Sequence, residues 1–370
     1  MASSKAPNYS EFVFFSAGPV GDHALIIDYA NRFFTSSGKS STVLMKHPNP
    51  FIRDMATPYY DHVSYIDFIG LGGKIKTFFF ILMSILIKRC YVLILPIPPP
   101  LYLKLFTYFI RFFTRSRVVA LESMCGFSIP GGPFSSADFV GKKNYISAHV
   151  DTDLYYEQAN RMLSFLGYEP VSTLPHLEYV ETPSVLQKFN LENTNTKYVV
   201  MHICASGPDR SLPTDRWNHI TGELLAKLPD TTFLFTGTGK DIGFIQKSID
   251  GLPEERIKIV EGVSMQELLT LHAHAKLNVT VHTGNAHLIN MLHVPTVTVN
   301  FKGIHMFRFS YNEKGTELYS SIGCTCHPLE RKCSEVEYKG GRYMACLFNT
   351  TDEEIISTVI HSYVLSITSQ

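Results

Sequence analysis

The 370-residue chain has no net charge, because 33 lysines and arginines balance 33 aspartates and glutamates. With no global positive field and no basic stripe, a nucleic-acid partner is excluded. It also lacks long apolar runs. The roughly 18–20 residues of a spanning helix are not reached even in the most apolar stretch, KTFFFILMSILIKRCYVLILPIPPPLYLKLFTYFIRFF (76–113), where Lys88 and Arg89 intervene after about eleven residues. The first ten residues, MASSKAPNYS, carry no apolar signal-peptide core. Seven cysteines, an odd number, fit a reducing compartment better than a disulfide framework, so a cytoplasmic chain is expected. There is no 20–50-residue repeat and no low-complexity segment. Hydrophobic content of 45% with 18% charged residues is that of a globular protein, and the length suffices for two domains with separate cores.

The chain is organised around LNVTVHTGNAHLINMLHVPTVTV (277–299). Leu277 to Val281 is short, apolar and β-branched, as a strand covered on both faces should be. Then come His282, Thr283 and Gly284, a helical pattern from Ala286 to His293, and a second β-branched run to Val299. A βαβ unit of this kind offers backbone N–H groups and a helix dipole to an anion above the sheet edge. The plainer reading is an α/β connection in which Gly284 only makes the turn.

Upstream, apolar runs at 12–15, 41–45, 63–66, 92–95, 118–121 and 145–148 alternate with helical patterns at 23–34 and 153–167. This predicts a parallel sheet covered on both faces. From Tyr168 to Leu191 prolines and polar residues loosen the pattern into a linker, with a short helix near 184–189. A second series starts at Lys197: strands at 198–203, 232–237 and 257–262, helices at 215–228, 242–249 and 264–274, then the central motif. A closing helix spans 351–367, with Thr351 as its N-cap and three acids in its first turn. The expectation is an α/β chain of two Rossmann-like doubly wound domains, 1–178 and 179–370, facing across a cleft with the Ser16–Asp22 and His282–His287 loops meeting there. Lys104, Arg111, Arg115 and Arg117, interleaved with Phe and Tyr, suit peripheral contact of 76–117 with an anionic membrane surface; a large core with ordinary surface charge is the alternative.

A set of ordered motifs then carries a resemblance. Gly21-Asp22 follows the first strand, and Lys88-Arg89-Cys90-Tyr91 runs into a later one. Ser206-Gly207 is followed by Arg210, three residues before Pro213, and Gly237 to Asp241 forms a glycine-rich turn ending in an acid. Gly262, Ser264, Glu267 and Leu268 come next, then Thr283-Gly284-Asn285-Ala286-His287-Leu288, and finally Cys346 with Thr351-Asp352-Glu353-Glu354-Ile355. In this order, over nearly the whole chain, they resemble glycosyltransferase family 9, the heptosyltransferases that build lipopolysaccharide inner core from ADP-heptose. The resemblance implies a GT-B fold and inverting transfer without an obligatory metal or other cofactor. It also implies a nucleotide-diphosphate sugar as donor and a glycolipid or glycan acceptor. Three departures stand out: His282 replaces the family's Asp before Thr-Gly, Arg210 its Lys, and Leu212 its Trp. Arg210 keeps the charge and gains a two-pronged phosphate grip. His282 exchanges an anion for a titratable base, which opens the reading to a UDP- or GDP-sugar, or to a catalytically silent nucleotide-binding or scaffold protein.

Inverting transfer needs a base for the acceptor hydroxyl and fixed positive potential where the diphosphate charge develops. The resemblance makes Asp22 the base; its alternative role is an N-cap for a helix starting at His23. Ser206, Arg210, Thr283 and Gly284 would hold the phosphates, though Arg210 also reads as a solvated loop charge. Asp241 would accept from ribose hydroxyls, or serve only as an exposed acid at a helix start. His287 would touch the phosphate or bond a neighbouring loop, and His282 would lie near the donor. Cys324, Cys326, Cys333 and Cys346, spaced C-x-C-x6-C-x12-C beside His327, are soft ligands suited to a structural zinc or iron, without the paired C-x2-C that marks a zinc site.

Overall fold

The computed structural model describes residues 12–16, 20–45, 50–59, 61–67, 91–94, 117–121, 145–146, 154–193, 196–205, 207–301, 309–320, 322 and 334–368. The chain divides into two compact units, Met1–Pro175 with Ile304–Arg308, and His176–Gly303 with Phe309–Gln370. Element labels below number the described elements.

In the first unit six parallel strands, β1 (Phe12–Ser16), β2 (Ser41–Met45), β3 (Val63–Asp67), β4 (Tyr91–Ile94), β5 (Arg117–Leu121) and β6 (Tyr145–Ile146), lie in the order 3-2-1-4-5-6. This is the doubly wound order, with its reversal between β1 and β4. Helix α1 (Val20–Ser37) buries Phe33 edge-on against Phe12 and Phe14, at 4.7 and 5.6 Å between ring centroids. Helix α2 spans Pro50–Met55, and α3 spans Tyr155–Leu166, ending on Gly167 at φ 84°, a left-handed turn that favours glycine. The Tyr29 hydroxyl donates to the Tyr155 carbonyl at 2.8 Å, tying α1 to α3. Asp28 and Arg32 form a buried ion pair (2.7 Å), and Arg32 also donates to the Val171 carbonyl. Burial raises the Asp28 carboxyl, and the Arg32 charge pulls it back. The helices expected within 76–113, and the basic residues Lys104, Arg111 and Arg115, lie outside the described residues. Among the described residues no helix is long and apolar enough to cross a membrane.

The second unit repeats the plan. Strands β7 (Lys197–His202), β8 (Thr231–Thr236), β9 (Ile257–Val260), β10 (Leu277–Val281), β11 (Thr296–Val299) and β12 (Gly315–Leu318) are parallel, in the order 12-11-10-7-8-9. The reversal falls between β7 and β10. All five residues of β10 are buried, the polar Asn278 and Thr280 included, as in a central strand covered on both faces. Around the sheet run α4 (Ser184–Lys188), α5 (Thr214–Lys227), α6 (Ile242–Ser248), α7 (Met265–His274) and α8 (Gly284–Met291). Trp217, Phe233, Phe235, Val279 and Val297 anchor one core cluster. Arg256 donates to the Leu225, Leu228 and Pro229 carbonyls and so satisfies the C-terminal end of α5.

An antiparallel hairpin, β13 (Glu335–Tyr338) and β14 (Gly341–Met344), turns at Lys339 (φ 48°) and Gly340 (φ 79°), followed by α9 (Ala345–Phe348). The sequence analysis gave no strand here or at β12. The closing helix α10 (Asp352–Thr368) packs on α5, β10 and β11. As expected, Thr351 caps it: its hydroxyl accepts from Glu354 N (3.1 Å), while Glu354 accepts from Thr351 N (2.9 Å).

Candidate functional site

Because strand order reverses between β7 and β10, the segments leaving their carboxyl ends diverge and open a crevice. Thr280 of β10 is in register with His202, the last residue of β7. On the β7 side the chain runs through Ile203–Pro213. Its inner face is fixed: the fully buried Trp217 indole donates to Ser211 Oγ (3.1 Å), which donates to the Ile203 carbonyl (2.5 Å). Leu212, which replaces the resembled family's Trp, is fully buried. Gly207 sits beneath the Asp209 carboxylate, so close that an added Cβ would lie 2.4 Å from Asp209 Oδ1. A short 3-10 turn, Pro208–Arg210, presents Arg210 as an exposed cation.

On the β10 side His282 and Thr283 follow the strand. Thr283 is extended (φ −141°, ψ 175°) and its hydroxyl accepts from Ala286 N, making it the N-cap of α8. Gly284 and Asn285 open that helix, where N–H groups have no partner within the helix. Arg210, Thr283 and Gly284 thus flank the same switch point of one unit.

His287, near the start of α8, is buried, which lowers its imidazole to about 4; it stays neutral near pH 7 and offers hydrogen bonds, not charge. Its ring lies 5.0 Å from Phe309 and 5.7 Å from His282, whose ring meets Phe301 edge-on at 4.3 Å. The two histidines share an aromatic pocket.

Asp241 ends a 3-10 turn (Gly239–Asp241) after β8, where Oδ2 accepts from both Thr238 N (2.8 Å) and the Thr238 hydroxyl (2.6 Å). Gly237 allows this close turn: a Cβ there would lie 2.9 Å from Ile245 Cδ1 and 3.0 Å from Asp241 Cβ. Ser206 lies outside the described residues. For Asp22 only the backbone is described. It belongs to the first turn of α1, which starts at Val20, so the expected N-cap role at a helix beginning at His23 is corrected. Cys324, Cys326 and Cys333 lie outside the described residues, whereas Cys346 is a buried free thiol. Among the described residues no group of three or more metal-ligating side chains gathers.

Two functional-looking histidines escaped the sequence analysis. Burial brings His202 down to about 4, and it bonds the Thr236 hydroxyl at 2.9 Å. His272 on α7 is lowered to about 3 by burial, against its contact with Asn278 Oδ1 (2.8 Å). Asn285 Nδ2 reaches His272 Nε2 at 3.0 Å, so a polar chain links the start of α8 through α7 to Asn278 of β10. Nothing in the local sequence marks these two: His202 meets Thr236 on the neighbouring strand, and His272 meets Asn278 and Asn285 only once α7, β10 and α8 have packed. Cys204 is no nucleophile, since burial, with Asp241 nearby, pushes its thiol up to about 12.

Residues 158–339 match the family model for glycosyltransferase family 9 (heptosyltransferase). They form a glycosyltransferase family 9 domain. The whole chain is similar in fold to a glycosyl transferase family 9 structure from Veillonella parvula DSM 2008, at 14% identity and TM-score 0.68 over 98% of this chain and 100% of that one. It is similar too to E. coli ADP-heptose lps heptosyltransferase II, at 14% identity and TM-score 0.66 over 97% and 99% of the two chains. For E. coli heptosyltransferase WaaC with ADP-2-deoxy-2-fluoro heptose the values are 13%, 0.59, 95% and 99%. Among curated proteins, none matches the sequence. The expected GT-B class is therefore the observed one: two units of doubly wound parallel sheet.

Proposed function

We propose that the chain is an inverting, metal-independent glycosyltransferase that takes a sugar from a nucleotide-diphosphate donor, with ADP-heptose as first choice, to a glycolipid or glycan acceptor. The family 9 domain supports the reaction class. One observation carries the donor site: an exposed arginine and a capped helix N-terminus flank the same switch-point crevice of the second unit. The diphosphate would lie there, against Arg210, Ser206, the Thr283 hydroxyl and the Gly284 N–H, because an anion gains from both the guanidinium and the helix dipole. His282 and His287 would lie beside it as neutral partners, and Asp241 would face the ribose. The first unit would bind the acceptor, with Asp22 in the first turn of α1 as the base. The similar E. coli heptosyltransferase WaaC was solved with ADP and with ADP-2-deoxy-2-fluoro heptose, which favours ADP over other nucleotides. The apolar and basic stretch 76–117 supports a resting place on the inner face of a membrane.

Thermal shift with ADP, UDP and GDP tests the donor class. A ligand at 100 times its dissociation constant adds about 2.7 kcal/mol to stability, and ADP should give the largest shift. No response to any of the three would remove the donor site. His282, where the resembled family has Asp, favours a second reading, a nucleotide-binding protein without transfer; binding without turnover on a panel of acceptors would support it.

A further inference from the structure

The Arg210 turn is held from outside as well as from within. The second strand of the hairpin, β14, lies directly against Pro208–Arg210. The segment that contains β14 is pinned on both sides of it by two consecutive residues in the first turn of α5. Asp215 takes the hairpin turn: its Oδ2 accepts from the Tyr338 hydroxyl (2.7 Å) and from Lys339 Nζ (2.6 Å). Arg216 takes the far end: its guanidinium donates to the carbonyls of Phe348 (2.5 Å) and Thr350 (2.6 Å) and to Asp352 Oδ1 (2.7 Å), and it lies over the Phe348 ring. Phe348 in turn packs against Tyr338 and Tyr343, so the two pins share one aromatic patch. The α5 helix follows the Arg210 turn after Pro213. The turn, the helix after it and the segment across it therefore form a closed mechanical loop.

We propose that Asp215 and Arg216 are positioning residues for Arg210, holding residues 338–352 as a brace that sets how the guanidinium meets a diphosphate. This rests on the reading of Arg210 as a donor-binding residue. The Asp215 pin contributes little to global stability, since Lys339 and Asp215 are 67% and 40% exposed and such surface pairs are weak. Its purpose is local: without it the hairpin turn is free to lift, and β14 no longer fixes the turn beneath.

The test is a double-mutant cycle on the full chain, read by calorimetric titration with ADP, UDP and GDP. The Tyr338→Phe/Lys339→Met variant removes both donors to Asp215 while keeping the ring on Phe348; Asp215→Asn is a second variant that removes only the charge. Both should keep Tm within about 3 °C of the parent. Each should bind the nucleoside diphosphate roughly fivefold to tenfold more weakly, and neither should have any further effect in an Arg210→Ala background. Unchanged affinity, or an equal loss with Arg210 already removed, overturns the brace while leaving the donor site intact. A parent protein that binds none of the three nucleotides overturns both.

Discussion

In the proposed donor site Arg210 has the most to contribute, because it is an exposed cation at the same switch point as the start of a helix, which is electropositive. Removing a charged hydrogen-bond donor costs about 1.5–3 kcal/mol of binding. Arg210→Ala should therefore weaken nucleoside diphosphate affinity by roughly tenfold to a hundredfold by titration, and an unaltered affinity would make it a solvated surface charge. Asp22→Ala should leave that affinity as it is and abolish transfer; turnover at the parent rate would take Asp22 out of the mechanism. His287 and His272 act through neutrality. Their unfolded-state value is 6.5, and the folded values are about 4 and about 3. Between these limits the unfolded chain binds more protons, so their contribution is whole above about pH 6.5. It falls as the pH drops toward 4, by roughly 1.4 kcal/mol per pH unit for each. Urea midpoints should drop between pH 7 and pH 5, with a shallower drop in His272→Gln; equal slopes in variant and parent would contradict this.

At the level of elements, the Arg210 turn is built from inside by one buried chain, Trp217 to Ser211 to Ile203. Ser211→Ala leaves the indole N–H without its partner in a packed core, at a cost of about 1–3 kcal/mol in unfolding free energy. Chemical denaturation checks this, and a variant as stable as the parent would show that the hydrogen bond is dispensable. The central strands, the long helices, the turn between β10 and α8 and the Thr351 cap were legible in the sequence because each is written locally, in β-branched runs, a Thr-Gly start and a Thr before three acids. The β13–β14 hairpin was not. Its EVEYKGGRYM pattern alternates, but it lies beside the cysteines, and a two-residue turn that places Lys339 at positive φ carries a weak local signal. Strand β12 was missed for a different reason. GTEL has a single large apolar residue and pairs only at the edge of the sheet.

On the scale of the whole molecule, the two sheets repeat one topology, 3-2-1-4-5-6, within a chain that shares only 14% identity with the solved proteins of similar fold. The alternation of strands and helices predicts parallel sheets and survives when individual residues do not, whereas the strand order is seen only in the structure. Of the candidate site, the sequence marks Thr283, Gly284 and Arg210 by residue type at a turn, and the structure sets these three at one switch point of the second unit. The histidines His202 and His272 converge through pairings of β7, β8, β10 and α7, and no local pattern announces them. The most direct measurement of the central claim is a crystal structure of the protein soaked with ADP. The diphosphate should lie within hydrogen-bond distance, about 3 Å, of the Arg210 guanidinium and the Gly284 N–H. A diphosphate bound anywhere else on the chain, with those two groups facing solvent, would contradict it.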